Sequence, residues 1–261
     1  MQEFENLPTG KPHISYSELR TWKECSWKHK KAYIEKVGKN EKTVHLVFGT
    51  TIHAACEEWL KTKSMDIDTA VKAIEKEWEE LGFENVNEWT GYAKQILAEV
   101  PEWFDKTFPG WELVEAEHFL YEEIEEKFAY FKGYIDAIIK VTEKGKTKYW
   151  VLDWKTSGPA GWLREKRQDV LTQYQVGLYK LFINKKMKID LRDIRTGFVI
   201  LKKGAKKGKS CDLFRVSLGP VPLEKAKKIM SNMIASIRKN IFFKNRDSCK
   251  YCEFKDTKHC T

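Results

Sequence analysis

Apolar positions in the first third of the chain recur every three to four residues, the spacing of helices with one buried face. SYSELRTWKECSWKHKKAYIEK (15–36) reads as one helix capped at Ser15 or Ser17, and TTIHAACEEWLKT (50–62) as a second, opened by Gly49 with Thr50 or Thr51. DTAVKAIEKEWEEL and GYAKQILAEVPEWFDKTF extend this helical stretch. From WELVEAEHFLYEEI the period falls to two, and strands are expected through residue 156. WLREKRQDVLTQYQVGLYKLFINKK (162–186) returns to helix, GFVILKK and CDLFRVSL form a hairpin around a basic loop, and PLEKAKKIMSNMIASIRKN is a last helix. The order predicts an α/β fold in a single domain, a central mixed sheet flanked by helices. Residues 1–110 form its mostly helical N-terminal part, 111–240 its core, and 241–261 a cysteine-bearing tail.

The period-two stretch holds the most informative pattern. FKGYIDAIIK and YWVLDWKTS are apolar enough for core strands, yet each carries a carboxylate. Lys144-Gly145 between them suits a two-residue hairpin turn, because glycine supplies the positive φ such turns require. That turn sets Asp136 opposite Asp153, and alternation puts Lys155 on the face of Asp153. One sheet face then gathers two carboxylates and an ammonium, the composition of a metal-dependent phosphodiester site. Asp153 and Lys155 are also readable as a solvated pair on an exposed face. Against this, Val151, Leu152 and Trp154 make the strand nearly all apolar, and buried charges are costly unless paired or bound to metal.

Composition adds limits. A chain of 261 residues with ten Trp and fourteen Phe can bury a substantial core, and only the first few residues read as disordered. The net charge of +9, locally dense in KKGAKKGK (202–209), suits an anionic polymer but is also an ordinary solubility device. MQEFENLPTG lacks the apolar run of a signal peptide, and no apolar stretch is long enough to span a membrane. A cytoplasmic location is expected, where clustered cysteines more often mean metal than disulfide.

Of six cysteines, three fall in the last thirteen residues as Cys249-x2-Cys252-x7-Cys260. This is a ligand pattern one donor short of a tetrahedral set, which Cys25 could complete by joining the two chain ends. Zinc with His259 or Cys25 is the rival to an iron–sulfur cluster. Cys56 and Cys211 read as small buried hydrophobes. His53, after FGTT, has Thr50, Cys56 and Glu57 as helical neighbours, which do not fill a metal sphere. Glu115 and Glu117 on the first strand are secondary candidates for the same groove. Gln175 and Tyr179 share a helix face beside an expected apolar stripe of Val170, Tyr174, Leu178 and Leu181, with Gln173 competing for Gln175's role. GAKKGKS (204–210) imitates a phosphate-binding loop, but only three residues separate its glycines and it joins two strands, so no motor ATPase is encoded.

In this order the motifs SELRTWKE–Cys25, GTTIH, GYIDAI, LDWKTS, QVGLY, CKYC and Cys260 resemble the PD-(D/E)XK nuclease superfamily, in its RecB-like branch with a C-terminal cysteine cluster. CRISPR-associated iron–sulfur exonucleases and phage-encoded relatives look similar. The resemblance implies a restriction-endonuclease-like core in which His53, Asp136, Asp153 and the Trp154 carbonyl bind Mg²⁺ or Mn²⁺. It implies that Lys155 positions or activates water, and that Gln175 and Tyr179 match the motif after the catalytic strand. Cys25, Cys249, Cys252 and Cys260 would hold a [4Fe–4S] cluster. Many relatives have Glu where this chain has Asp153. The implied activity is a DNA exonuclease acting on single-stranded or frayed ends in recombination, repair or phage DNA processing, with any helicase motor supplied in trans. The alternatives are a DNA-binding accessory protein that cuts weakly and a zinc-stabilised structural module.

Overall fold

The computed structural model describes residues 5–38, 42–124 and 129–260. Residues 1–4, where the start of the chain is expected to be disordered, lie outside the described residues. Strand β1 (His13–Ser15) leads into helices α1 (Tyr16–Glu24) and α2 (Ser26–His29), then a π-helical turn, Lys30–Ile34. Helices α3 (Val44–Thr62), α4 (Ile67–Glu80) and α5 (Val86–Thr107) follow, then strands β2 (Glu112–Ile124), β3 (Ala129–Glu143) and β4 (Lys146–Ser157). Helices α6 (Arg164–Gln168) and α7 (Val170–Met187) precede β5 (Ile194–Lys202), β6 (Cys211–Val216) and α8 (Pro220–Arg238). These elements divide into two compact units. One comprises Glu41–His118 and Tyr134–Leu218; the other comprises Met1–Asn40, Phe119–Gly133 and Gly219–Thr261.

The first unit holds a mixed sheet. β3 and β4 pair antiparallel from Ala137↔Leu152 to Glu143↔Lys146, the register expected from the turn. Lys144 and Gly145 both take positive φ, +50° and +73°, as a two-residue turn of this hand requires. β5 runs parallel to β4, from Tyr149↔Ile194 to Ser157↔Lys202, and β6 returns antiparallel to β5. β4 is buried from Trp150 to Trp154, so both of its faces are covered. Leu152 and Trp154 point into a core with Phe48 and Ile52 of α3, Trp78 of α4 and Phe104 of α5. α7 packs against β4 and β5. Its buried residues include Tyr174, Leu178 and Phe182, whereas Val170, expected in that stripe, is exposed because it opens the helix.

α3 begins earlier than expected. Thr43, not a residue at 49–51, caps it by accepting from Leu46 N at 3.2 Å, so His53 sits inside the helix rather than near its start. Gly49 in a helix interior costs roughly 1 kcal/mol relative to Ala, a cost that burial of Val47 and Phe48 beside it offsets.

In the second unit, β1 pairs parallel with the first residues of β3, His13↔Tyr130 to Ser15↔Lys132. Ser15 caps α1 as expected, accepting from Glu18 N at 3.2 Å. The single helix read over 15–36 instead breaks at Cys25, which is extended (φ −160°, ψ 108°) and recaps the chain by accepting from Lys28 N at 3.4 Å. The break is held by the tail. Asn245 Nδ2 and Ser248 Oγ each donate to Glu24 O at 2.8 Å, Phe243 N donates to Ser26 Oγ at 2.7 Å, and Trp27 Nε1 donates to His259 O at 2.9 Å. Among the described residues no helix is long and apolar enough to cross a membrane.

Candidate active site

The β3–β4 ladder closes at Ala137↔Leu152, and Asp136 stands one residue beyond it. There the carboxylate replaces a backbone carbonyl: Asp136 Oδ2 accepts from Trp154 N at 2.6 Å. This satisfies a main-chain donor that the parting strands would otherwise leave unpaired. The same oxygen lies 3.7 Å from His53 Nδ1 on α3. Asp153 is 2% exposed. Its Oδ2 is 2.5 Å from Lys155 Nζ, two residues along the strand and on the same face. Its Oδ1 accepts from Gln175 Nε2 at 2.7 Å, and that amide also meets Tyr179 Oη at 3.2 Å. Gln175 and Tyr179 reach one another because four helical residues make one turn. Gln173 does not join them; it donates to Arg167 O at 2.7 Å.

Burial dominates the electrostatics. It pushes both Asp136 and Asp153 up to about 6, against the opposing pull of Lys155 on each. It pushes His53 down to about 4, so the imidazole is neutral at pH 7 and can act as a ligand.

A cavity of about 250 Å³ opens here, lined by Thr50, His53, Ala54, Glu57, Glu117, Asp136 and Trp154. Glu117 takes a positive φ of +50° inside β2, and its hydrogen bond with Glu57 raises it above the ordinary carboxylate range. Glu57 also pairs with Lys61. Glu115 instead pairs with His118 at 2.6 Å. Glu57 thus joins the cavity lining, and its one signal in the sequence is its position four residues after His53.

Among the described residues, no three His, Cys, Asp or Glu side chains are grouped closely enough to enclose one ion. The donors nevertheless suit a hard divalent cation. Asp153 is buried and Asp136 half-buried, both offer hard carboxylate oxygens that a cation would hold in the ionised form, and a neutral imidazole stands beside Asp136. In the other unit, Cys25 Sγ accepts from Asn245 N at 3.4 Å and Cys249 Sγ lies 3.8 Å from Asn245 O. Cys252 and Cys260 occur on the same tail, and all four thiols are free.

A mixed sheet whose central hairpin carries Asp136 and an Asp153-x-Lys155 pair, with helices on both faces, defines the architecture of a restriction-endonuclease-like nuclease. Residues 13–257 match the PD-(D/E)XK nuclease superfamily, and the chain belongs to it. A solved structure from Eubacterium rectale described as "Putative exonuclease" is similar in fold, with TM-score 0.59 and 14% identity over 94% of this chain and 88% of that one. No curated protein matched the chain.

Proposed function

We propose that this nuclease is a divalent-metal-dependent deoxyribonuclease that removes nucleotides from single-stranded or frayed DNA ends. The observation that carries the reading is Asp153, buried and held between Lys155 Nζ and Gln175 Nε2, one strand from Asp136. In this reading His53, Asp136, Asp153 and the Trp154 carbonyl hold Mg²⁺ or Mn²⁺. Such a cation supplies Lewis acidity to the phosphodiester and to water when bound.

The chain's own residues supply the rest. Lys155 places a point charge where negative charge grows on the phosphate, and it orients the attacking water. Gln175, braced by Tyr179, fixes the Asp153 carboxylate so that one oxygen faces Lys155. The preference for ends rests on the motif resemblance and on the description carried by the Eubacterium rectale protein.

Cys25, Cys249, Cys252 and Cys260 would hold a [4Fe–4S] cluster that ties the tail to α1 and α2. Support comes from four free thiols in one unit, with Cys25 and Cys249 both against Asn245. A reducing cytoplasm suits them, and a helicase or recombination partner would act in trans. The test compares wild type with Asp153→Ala on end-labelled single- and double-stranded DNA in Mg²⁺, Mn²⁺ or EDTA. Metal-dependent release of mononucleotides by wild type alone is expected, and equal cleavage by both proteins would remove the assignment.

A further inference from the structure

The basic loop between β5 and β6 remains unused by the reading above, and its construction is unusual for a solvated charge run. Lys206, Lys207 and Lys209 are exposed, and among the described residues none has a carboxylate partner. Like charges this close repel one another, and a mobile loop would let them separate. This loop is instead pinned at several points. Glu99 of α5 accepts from Gly208 N at 2.7 Å and Ser210 N at 2.9 Å, and those hydrogen bonds hold it below the ordinary carboxylate range despite burial. Gln95 Nε2 donates to Ala205 O at 2.9 Å and Ser210 Oγ at 2.8 Å. Lys203 N donates to Ser157 O at 2.9 Å, and the Lys203 ammonium sits 4.1 Å over the Trp89 ring and 3.2 Å from His45 Nδ1.

The register fixes where this pinned loop lies. Lys155 faces Ile200 and Ser157 faces Lys202, so the loop leaves the sheet two residues past Lys155, at the same end of β4.

We propose that this loop is a preformed ledge for the sugar–phosphate backbone of DNA, with Lys206, Lys207 and Lys209 each meeting a phosphate. The proposal rests on the nuclease reading. Holding the loop backbone that carries these lysines in place beforehand lowers the ordering cost of binding. It also sets a strand of negative charge beside the end of β4 that carries Lys155. No base edge is read by such contacts, so binding by the ledge is indifferent to sequence.

The experiment measures fluorescence anisotropy of a fluorescein-labelled single-stranded oligonucleotide in EDTA, across a salt series. It uses wild type, K206A/K207A/K209A, the corresponding triple Arg variant and the single Lys207→Glu. Three lost phosphate contacts should reduce the salt slope by about 2, so wild type weakens about twentyfold more than the triple Ala variant between about 50 and 200 mM salt. The triple Arg variant should keep the wild-type slope. Lys207→Glu alters one exposed side chain and should also lower the slope. A wild-type slope in the triple Ala variant, or in Lys207→Glu where the triple variant misfolds, overturns the ledge. If wild type neither binds nor cuts DNA, the nuclease reading falls; if it cuts while the variants bind as wild type does, only the ledge falls.

Discussion

Replacing Asp153 by Asn should stabilise the metal-free protein at neutral pH while abolishing its proposed catalysis. Asn keeps the oxygen that accepts from Gln175 and removes the ionisable one beside Lys155. Burial raises Asp153 from 3.8 to about 6. That is roughly two pH units at 1.36 kcal/mol each, or about 3 kcal/mol. The side chain is buried, so solvent screening does not erode the figure. A carboxyl whose folded value lies above its unfolded one contributes stability below the unfolded value. That contribution is lost as pH rises through the folded value, here from about 4 to about 6. His53 works in the opposite direction, since its folded value of about 4 lies under the ordinary 6.5 and its neutral form gains as pH rises. The difference between the two proteins removes what they share and leaves Asp153 together with its smaller pull on His53, which either melting curve alone would not separate. At about 2–4 °C per kcal/mol for a chain of this size, Asp153→Asn should melt about 6–12 °C above wild type at pH 8 in EDTA. At pH 4 the two should nearly coincide. Saturating Mn²⁺ should narrow the gap at pH 8 by raising wild type alone. Equal Tm differences at both pH values, or a variant less stable at pH 8, would refute the reasoning, because the Lys155 attraction would then outweigh desolvation.

Other expectations follow from the same geometry. Lys155→Ala should lower kcat by about 10²–10³ while Mn²⁺ affinity by titration calorimetry stays within a few-fold, since lysine is not a ligand. Thr43→Ala removes the cap of the helix that carries His53 and should cost about 1 kcal/mol, read as a lower denaturation midpoint at unchanged m-value. Cys25→Ser should lose bound iron and sulfide in protein purified without oxygen, measured against wild type by metal analysis; stoichiometric zinc in wild type would instead support the zinc site.

The hairpin was legible in the sequence because its signals are local and agree with one another. Lys144-Gly145 demands a positive-φ turn, and the alternation on either side admits one register, which the Ala137↔Leu152 and Glu143↔Lys146 pairs bear out. Helix starts were less legible, since Thr43, Thr50 and Thr51 share the same capping chemistry and only packing of Val47 and Phe48 decides between them. The break at Cys25 carries no glycine or proline. It is enforced by donors some 220 residues away, at Asn245 and Ser248, which no periodicity can report. Glu117 meets Glu57 across sixty residues of chain for a similar reason: the meeting depends on a left-handed residue within a strand. Asp136 was found as a residue but not in its full arrangement, because its bond to Trp154 N exists only where the two strands part.

The central claim is that Asp136 and Asp153 share one hard cation. Diffraction from crystals soaked in MnCl₂, collected at the manganese absorption edge, tests it directly. One anomalous peak within about 2.3 Å of a carboxylate oxygen from each residue, absent from Asp153→Asn crystals, is the predicted result. Soaked crystals with no peak between these two side chains, or with an ion held by Glu57 and Glu117 alone, would contradict it.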